Sequence, residues 1–269
     1  MARAPATAAP TFFAEHFRAL GTPARAAAEK AYLKSPLRFH GVTVPEIRRA
    51  CADFCQEHRG LDRERLRAEV DALMQTDFHD LRSAAIGVLE RARAQLTADD
   101  LTWLVGLVRH TGNWAHVDWL ATKIIGPLVT GHRRAPALLR AWAADPDLWV
   151  RRTALIAQLD ALRKGGGDFD LFASVAVPML AEREFFVRKA IGWVLRDVSK
   201  RRPELVRDFV LEHGARASAL TFREATRCLP LAMRAGLPGP ARQGKAVAAS
   251  PAPARAPGRP PKGLKREVG

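Results

Sequence analysis

Tryptophan, aspartate and arginine recur along this chain at spacings that could gather them around one reacting centre. In Asn113-Trp114-Ala115-His116-Val117-Asp118 the indole and the carboxylate are four residues apart, so a helix carries both on one face. Val117, Leu120 and Ile124 give the same helix an apolar stripe. A carboxylate beside such a stripe is costly to bury alone, and Arg152, on a later helix, is the expected partner. Trp193 and Arg196 follow at i and i+3. An ionised carboxylate among indole faces is suited to stabilising developing positive charge. Of the six tryptophans, Trp103, Trp142 and Trp149 are assigned to the core. Cys51, Cys55 and His58 share one helix face, but the zinc-type CxxC spacing is missing and no fourth ligand is in view, so no metal or other cofactor is expected.

The segments that must position these residues read as helices. Thr22-Pro23 places a cap before proline at the first helical position. Thr43-Val44-Pro45-Glu46 and Thr97-Ala98-Asp99-Asp100 have the form of capping boxes. Asp145-Pro146 and Arg202-Pro203 mark two further starts, and Gly112, Gly131, Gly165-Gly166-Gly167 and Gly214 separate apolar-periodic stretches. Two-residue alternation is lacking, so the body is expected to be all-α. Similar apolar stretches begin near Leu81, Val117, Val150, Val187 and Phe222, at steps of 36, 33, 37 and 35 residues. That period fits helix pairs stacked into an α-solenoid of HEAT type, with inner helices lining a concave, basic groove. Arg82, Arg151 and Arg188 recur at the second position of these stretches. They read either as cations lining the groove or as solvated helix faces.

The 269 residues carry a net charge of +15, which points to a polyanionic partner. Residues 236–269 hold seven Lys and Arg against Glu267 alone, with seven Pro and no aromatic residue, and are expected to form a disordered basic tail. The remaining surplus of nine leaves the body basic as well. Residues 1–10 are expected to be a short disordered end and 11–235 a single repeat domain. Gly258-Arg259-Pro260 in the tail is similar to the core of an AT-hook, which would lay Arg259 in a minor groove; a solvated linker is the other reading. No apolar run is long enough for a membrane span, the N-terminus has no secretory h-region, and three cysteines make no disulfide framework. A cytoplasmic monomer without obligate protein partners is expected.

Taken together, TGNWAHVD (111–118), LWVRRTALI (148–156) and EFFVRKAIGWVLRD (184–197) resemble the DNA alkylation repair enzymes of the AlkD type, which are HEAT-like DNA glycosylases. KAYLKSPLRFHGVTVPEIRR (30–49) and LEHGARASALTFREATRCL (211–229) extend the resemblance over about residues 12–233. It implies that the family's two functional tryptophans correspond to Trp114 and Trp193, its acidic residue to Asp118 and its arginine to Arg152. A tyrosine that contacts DNA corresponds to Tyr32. Thr43 stands where the family has Gln at a DNA-contacting position.

The activity implied is hydrolysis of the N-glycosidic bond of N3- or N7-alkylated purines in duplex DNA, as in base excision repair. Because such a purine is already cationic, it leaves readily. Asp118 would stabilise the resulting sugar cation, and no catalytic lysine is needed, so no lyase activity is expected. Arg82, Arg151, Arg188 and Arg196 join Tyr32, Thr43 and Arg259 as candidate DNA contacts. The resemblance implies work from the backbone side, whereas glycosylases in general extrude the base; the residues alone decide neither. A non-enzymatic HEAT-repeat DNA-binding or scaffold protein is the alternative, and a peptide-binding solenoid a more distant one.

Overall fold

A computed structural model of the chain describes residues 7–240. Its helices are α1 (Ala9–Leu20), α2 (Pro23–Leu33), α3 (Val44–Glu57), α4 (Arg63–Met74), α5 (His79–Arg91) and α6 (Leu101–Thr111). They continue with α7 (Trp114–Trp119), α8 (Gly126–Val129), α9 (Ala135–Ala143), α10 (Leu148–Ile156), α11 (Leu159–Arg163) and α12 (Phe169–Ala176). The last four are α13 (Phe185–Ser199), α14 (Pro203–His213), α15 (Ala219–Thr226) and α16 (Leu231–Arg234). Among the described residues there is no strand, only one isolated bridge between Arg38 and Phe78. The protein is an all-α solenoid of stacked helix pairs.

The apolar stretches at the repeated spacing all fall in helices: α5, α7, α10, α13 and α15. These stretches bury apolar side chains against their neighbours, with Ile86, Leu120, Ile124, Leu155 and Val194 fully enclosed. Burial of this kind contributes roughly 1.5–3 kcal/mol per large side chain, which a lone helix pair could not gather. Charged pairs bridge neighbouring repeats. Arg63 meets Asp100, Arg109 meets Asp145 and Lys123 meets Asp160, at 2.8, 2.5 and 2.8 Å.

Helix starts follow the local chemistry. Thr43 and Glu46 close the capping box of α3, and Thr97 and Asp100 close a second one. The start expected at Asp145 lies two residues later. Asp147 accepts the Trp149 N–H at 2.7 Å and caps α10, while Asp145 binds Arg109. The N-terminal end is ordered earlier than expected, since α1 begins at Ala9 within the stretch 1–10. No side chain of its own caps it; the Glu69 carboxylate from α4 accepts the N–H groups of Ala8 and Ala9 at 3.0 and 2.8 Å. Residues 241–269, with Arg259 and the AT-hook-like segment, lie outside the described residues.

Candidate active site

Four elements converge on one cavity of about 790 Å³. The end of α2 and the turn after it bring Tyr32 and Lys34; α7 brings Trp114 and Asp118. Helix α10 contributes Trp149 and Arg152, and α13 contributes Phe185, Phe186, Lys189, Trp193 and Arg196. The four residues with expected chemical roles are thus gathered in one place, together with Tyr32 and Arg196.

The placement of α7 starts at Gly112, whose φ of +56° ends α6 in the left-handed region and turns the chain. Asn113 then caps α7, accepting the Ala115 N–H at 2.8 Å. Beyond Trp119 the helix widens into a π segment, Leu120–Ile125, where the Gly126 N–H reaches the Ala121 carbonyl five residues back. Pro127 has no N–H to give the Lys123 carbonyl, which accounts for the break in the α ladder. Beneath α7, His116 is fully buried; its Nε2 lies 2.9 Å from the Ser83 hydroxyl and its ring stacks on His79 at 4.1 Å. Burial holds both imidazoles in the neutral form, His79 down to about 4 and His116 well below the usual range.

Asp118 and Arg152 form a bidentate pair across 34 positions, Nε to Oδ1 at 2.7 Å and Nη2 to Oδ2 at 2.8 Å. The third nitrogen of Arg152, Nη1, donates to the Phe186 carbonyl at 2.5 Å. Arg152 is 3% exposed, so the geometry of its guanidinium is fixed by burial as well as by three acceptor contacts. Its carbon lies 5.9 Å from the Trp193 ring centroid and 6.0 Å from that of Phe186. Burial raises the Asp118 pKa above the ordinary carboxylate value, and the hydrogen bonds and charge of Arg152 oppose that rise. The pair therefore presents a carboxylate to the cavity between the Trp114 and Trp193 helices. Trp193 is held by donation from Nε1 to Asp197 at 3.2 Å, and Trp114 meets Tyr32 edge to face at 5.9 Å.

Several expected contacts are employed otherwise. The Thr43 side chain is occupied in the α3 capping box, its hydroxyl donating to Glu46 at 2.7 Å, and it does not line the cavity. The repeated arginines also lie off the cavity wall. Arg82 donates to the carbonyls of Thr76 and His110, both at 2.9 Å. Arg151 donates to the carbonyls of Asp145 and Pro146 and to Glu182, at 2.9, 2.8 and 2.9 Å. A guanidinium early in an inner helix reaches the carbonyl-rich loop preceding its own helix and a group of the next repeat. It satisfies acceptors that helix ends leave open. Arg188 occupies the third such position, and its Nε is buried without a hydrogen-bond partner among the described residues. Trp149, assigned to the core, packs against the core half-buried and also lines the cavity, meeting Phe186 at 5.0 Å. Lys189 and Phe186 also escaped sequence reading. Lys189 is four residues before Trp193 on the same helix face, and Phe186 is one repeat beyond Arg152. Cys51 is buried, its thiol pushed up in pKa by desolvation and turned toward the Ala84 carbonyl at 3.5 Å.

Comparison with known proteins agrees with this architecture. The family model described as DNA alkylation repair enzyme matches residues 13–229. Among curated proteins no sequence matches the chain. A solved structure titled a predicted DNA alkylation repair enzyme from Enterococcus faecalis superposes with a TM-score of 0.69 at 27% identity, covering 79% of this chain and 98% of that one. AlkD2 from Streptococcus mutans superposes with a TM-score of 0.55 at 17% identity, over 70% of this chain and 90% of that one. The smu.31 protein of the same species gives the same score and identity, covering 70% and 93%. The two streptococcal structures share the fold.

Proposed function

Since the chain belongs to the DNA alkylation repair enzyme family, we propose that it is a monofunctional DNA glycosylase releasing N3- or N7-alkylated purines from duplex DNA. The observation that carries this reading is the Asp118–Arg152 pair opening into a cavity with Trp114 and Trp193 on its walls.

The chemistry follows from charge. In an alkylated purine the ring is cationic, so cleavage of the bond between C1′ and the purine nitrogen releases a neutral base and leaves the positive charge on the deoxyribose. An anionic Asp118 stabilises that charge, and the faces of Trp114 and Trp193 add cation–π attraction of roughly 0.5–2 kcal/mol each. Water then adds to C1′ and gives up its proton, with Asp118 as the acceptor that orients it. Arg152 keeps the carboxylate aimed and ionised. Tyr32, Lys34, Lys189 and Arg196 at the cavity edge suit contact with the phosphates around the lesion. The basic tail, residues 236–269, raises non-specific affinity for DNA through phosphate contacts, Arg259 among them.

Purified protein incubated with methylated duplex tests the reading. Chromatography is expected to detect free 7-methylguanine or 3-methyladenine, and the strand is expected to retain an intact abasic site until alkali cleaves it. A protein that binds the duplex but releases no base is instead the non-enzymatic DNA-binding solenoid.

A further inference from the structure

Helix α13 presents Lys189, Trp193 and Arg196 along one face, all at the cavity. Behind that face lies Glu224 of α15, 5% exposed, with both carboxylate oxygens committed. Oε1 accepts from Lys189 Nζ at 2.6 Å, and Oε2 accepts from Arg196 Nη1. The two helices approach closely because Gly192 lies between the cations. A Cβ built there would be 2.6 Å from the Glu224 Cβ, so any other residue would force the carboxylate away. This is a buried acid inside the cationic rim of a cavity that the function above assigns to DNA, and that function gives it no task.

We propose that Glu224 is a built-in counter-ion for this rim. Its carboxylate holds Lys189 and Arg196 in place and withholds their charge from DNA in general. The cluster of two cations and one acid carries a net charge of +1, matched to a single phosphodiester. A backbone phosphate that docks against Trp193 competes with the carboxylate for the same donors, so only a duplex seated closely enough to displace it gains both contacts. Glu224 is thus a positioning residue that sets discrimination between seated and passing DNA. The proposal rests on the cavity facing DNA, but not on base release.

Binding of undamaged duplex as a function of salt tests it in the full-length protein, by fluorescence anisotropy. Glu224→Gln keeps the shape and removes the charge. It is expected to bind several-fold more tightly than wild type, with a salt slope steeper by about one released ion, or ~0.9 in log K per log salt. Arg196→Ala combined with Glu224→Gln restores the wild-type net charge and removes a restrained cation together with its restraint. Its slope is expected to return to the wild-type value, and Glu224→Ala, which removes the same charge without leaving an amide in the buried site, takes the place of Glu224→Gln if that variant is unstable. A wild-type slope in Glu224→Gln, or a steep slope that persists in the double variant, overturns the proposal. Base release by the wild type from methylated duplex is measured in parallel. Its absence would defeat the glycosylase assignment, while the slopes would still decide the role of Glu224.

Discussion

Two carboxylates in this solenoid, Asp100 buried and Asp118 half-buried, are each held by arginine from another helix, and only Asp118 opens into a cavity. Asp100 is fully buried and receives Arg63 at 2.8 Å, Arg67 at 3.0 Å and the Thr97 N–H at 2.8 Å. Its acceptor capacity is spent on tying α4 to the turn before α6. Asp118 receives Arg152 alone among side chains, and its side chain remains 17% exposed where Trp114 and Trp193 frame the opening. The same inter-repeat device thus serves cohesion in one place and presents a negative charge in another. The difference lies in what surrounds the acid: two arginines and a capping N–H around Asp100, two indoles and open volume beside Asp118.

Substitutions can break this contrast. Arg152→Ala leaves Asp118 without its partner and the Phe186 carbonyl without its donor. It is expected to cost about 4 kcal/mol in urea unfolding, the range for breaking a buried pair. Because the same change releases the carboxylate from its aim, base release should fall as well, even in molecules that remain folded.

Acid probes the support beneath Asp118. Through its own His116, helix α7 rests on His79 and Phe39, stacked with centroid distances of 4.1 and 4.6 Å. The folded state holds His79 near 4, against an ordinary value of 6.5. Below pH 6.5 the unfolded chain therefore binds protons that the folded one refuses. Stability is expected to fall from that point until about pH 4, by about 3 kcal/mol for His79. His79→Phe should flatten this part of the stability–pH curve; an unchanged curve would show that the stack does not carry the effect.

Asp100→Asn is expected to be milder, about 2 kcal/mol, because Arg63 and Arg67 are 41% and 37% exposed and water can solvate them once released. Its base-release rate per folded molecule should match wild type. A large loss of rate here would show that the two carboxylates are coupled and that the contrast between them is false.

Much of the site was legible in sequence because helical and repeat periods act together. The i, i+4 spacing puts Trp114 and Asp118 on one face, and a step of 34 residues brings Arg152 alongside. Arg82 and Arg151 follow the same repeat but lie off the cavity wall. A repeated arginine in a basic body reads as a groove cation, yet nearby helix ends offer carbonyls that bind it first. Adjacent residues show the limit well: Arg151 and Arg152 are about 100° apart around α10, and that rotation alone sends one to a loop and the other to the cavity. Trp149, Lys189 and Glu224 were not legible, because their roles depend on which faces of α10, α13 and α15 meet. The cap that Glu69 supplies to α1 was hidden for the same reason, since it comes from 60 residues away.

The central claim is that the carboxylate of Asp118 stabilises the sugar cation. Single-turnover base release from saturating methylated duplex, wild type beside Asp118→Asn, tests it most directly. The amide keeps the shape and loses the charge. A fall of about 10²–10³-fold is expected, the size seen when one electrostatic stabiliser is removed, with the Kd for duplex within a few-fold of wild type. A rate within twofold of wild type would contradict the claim.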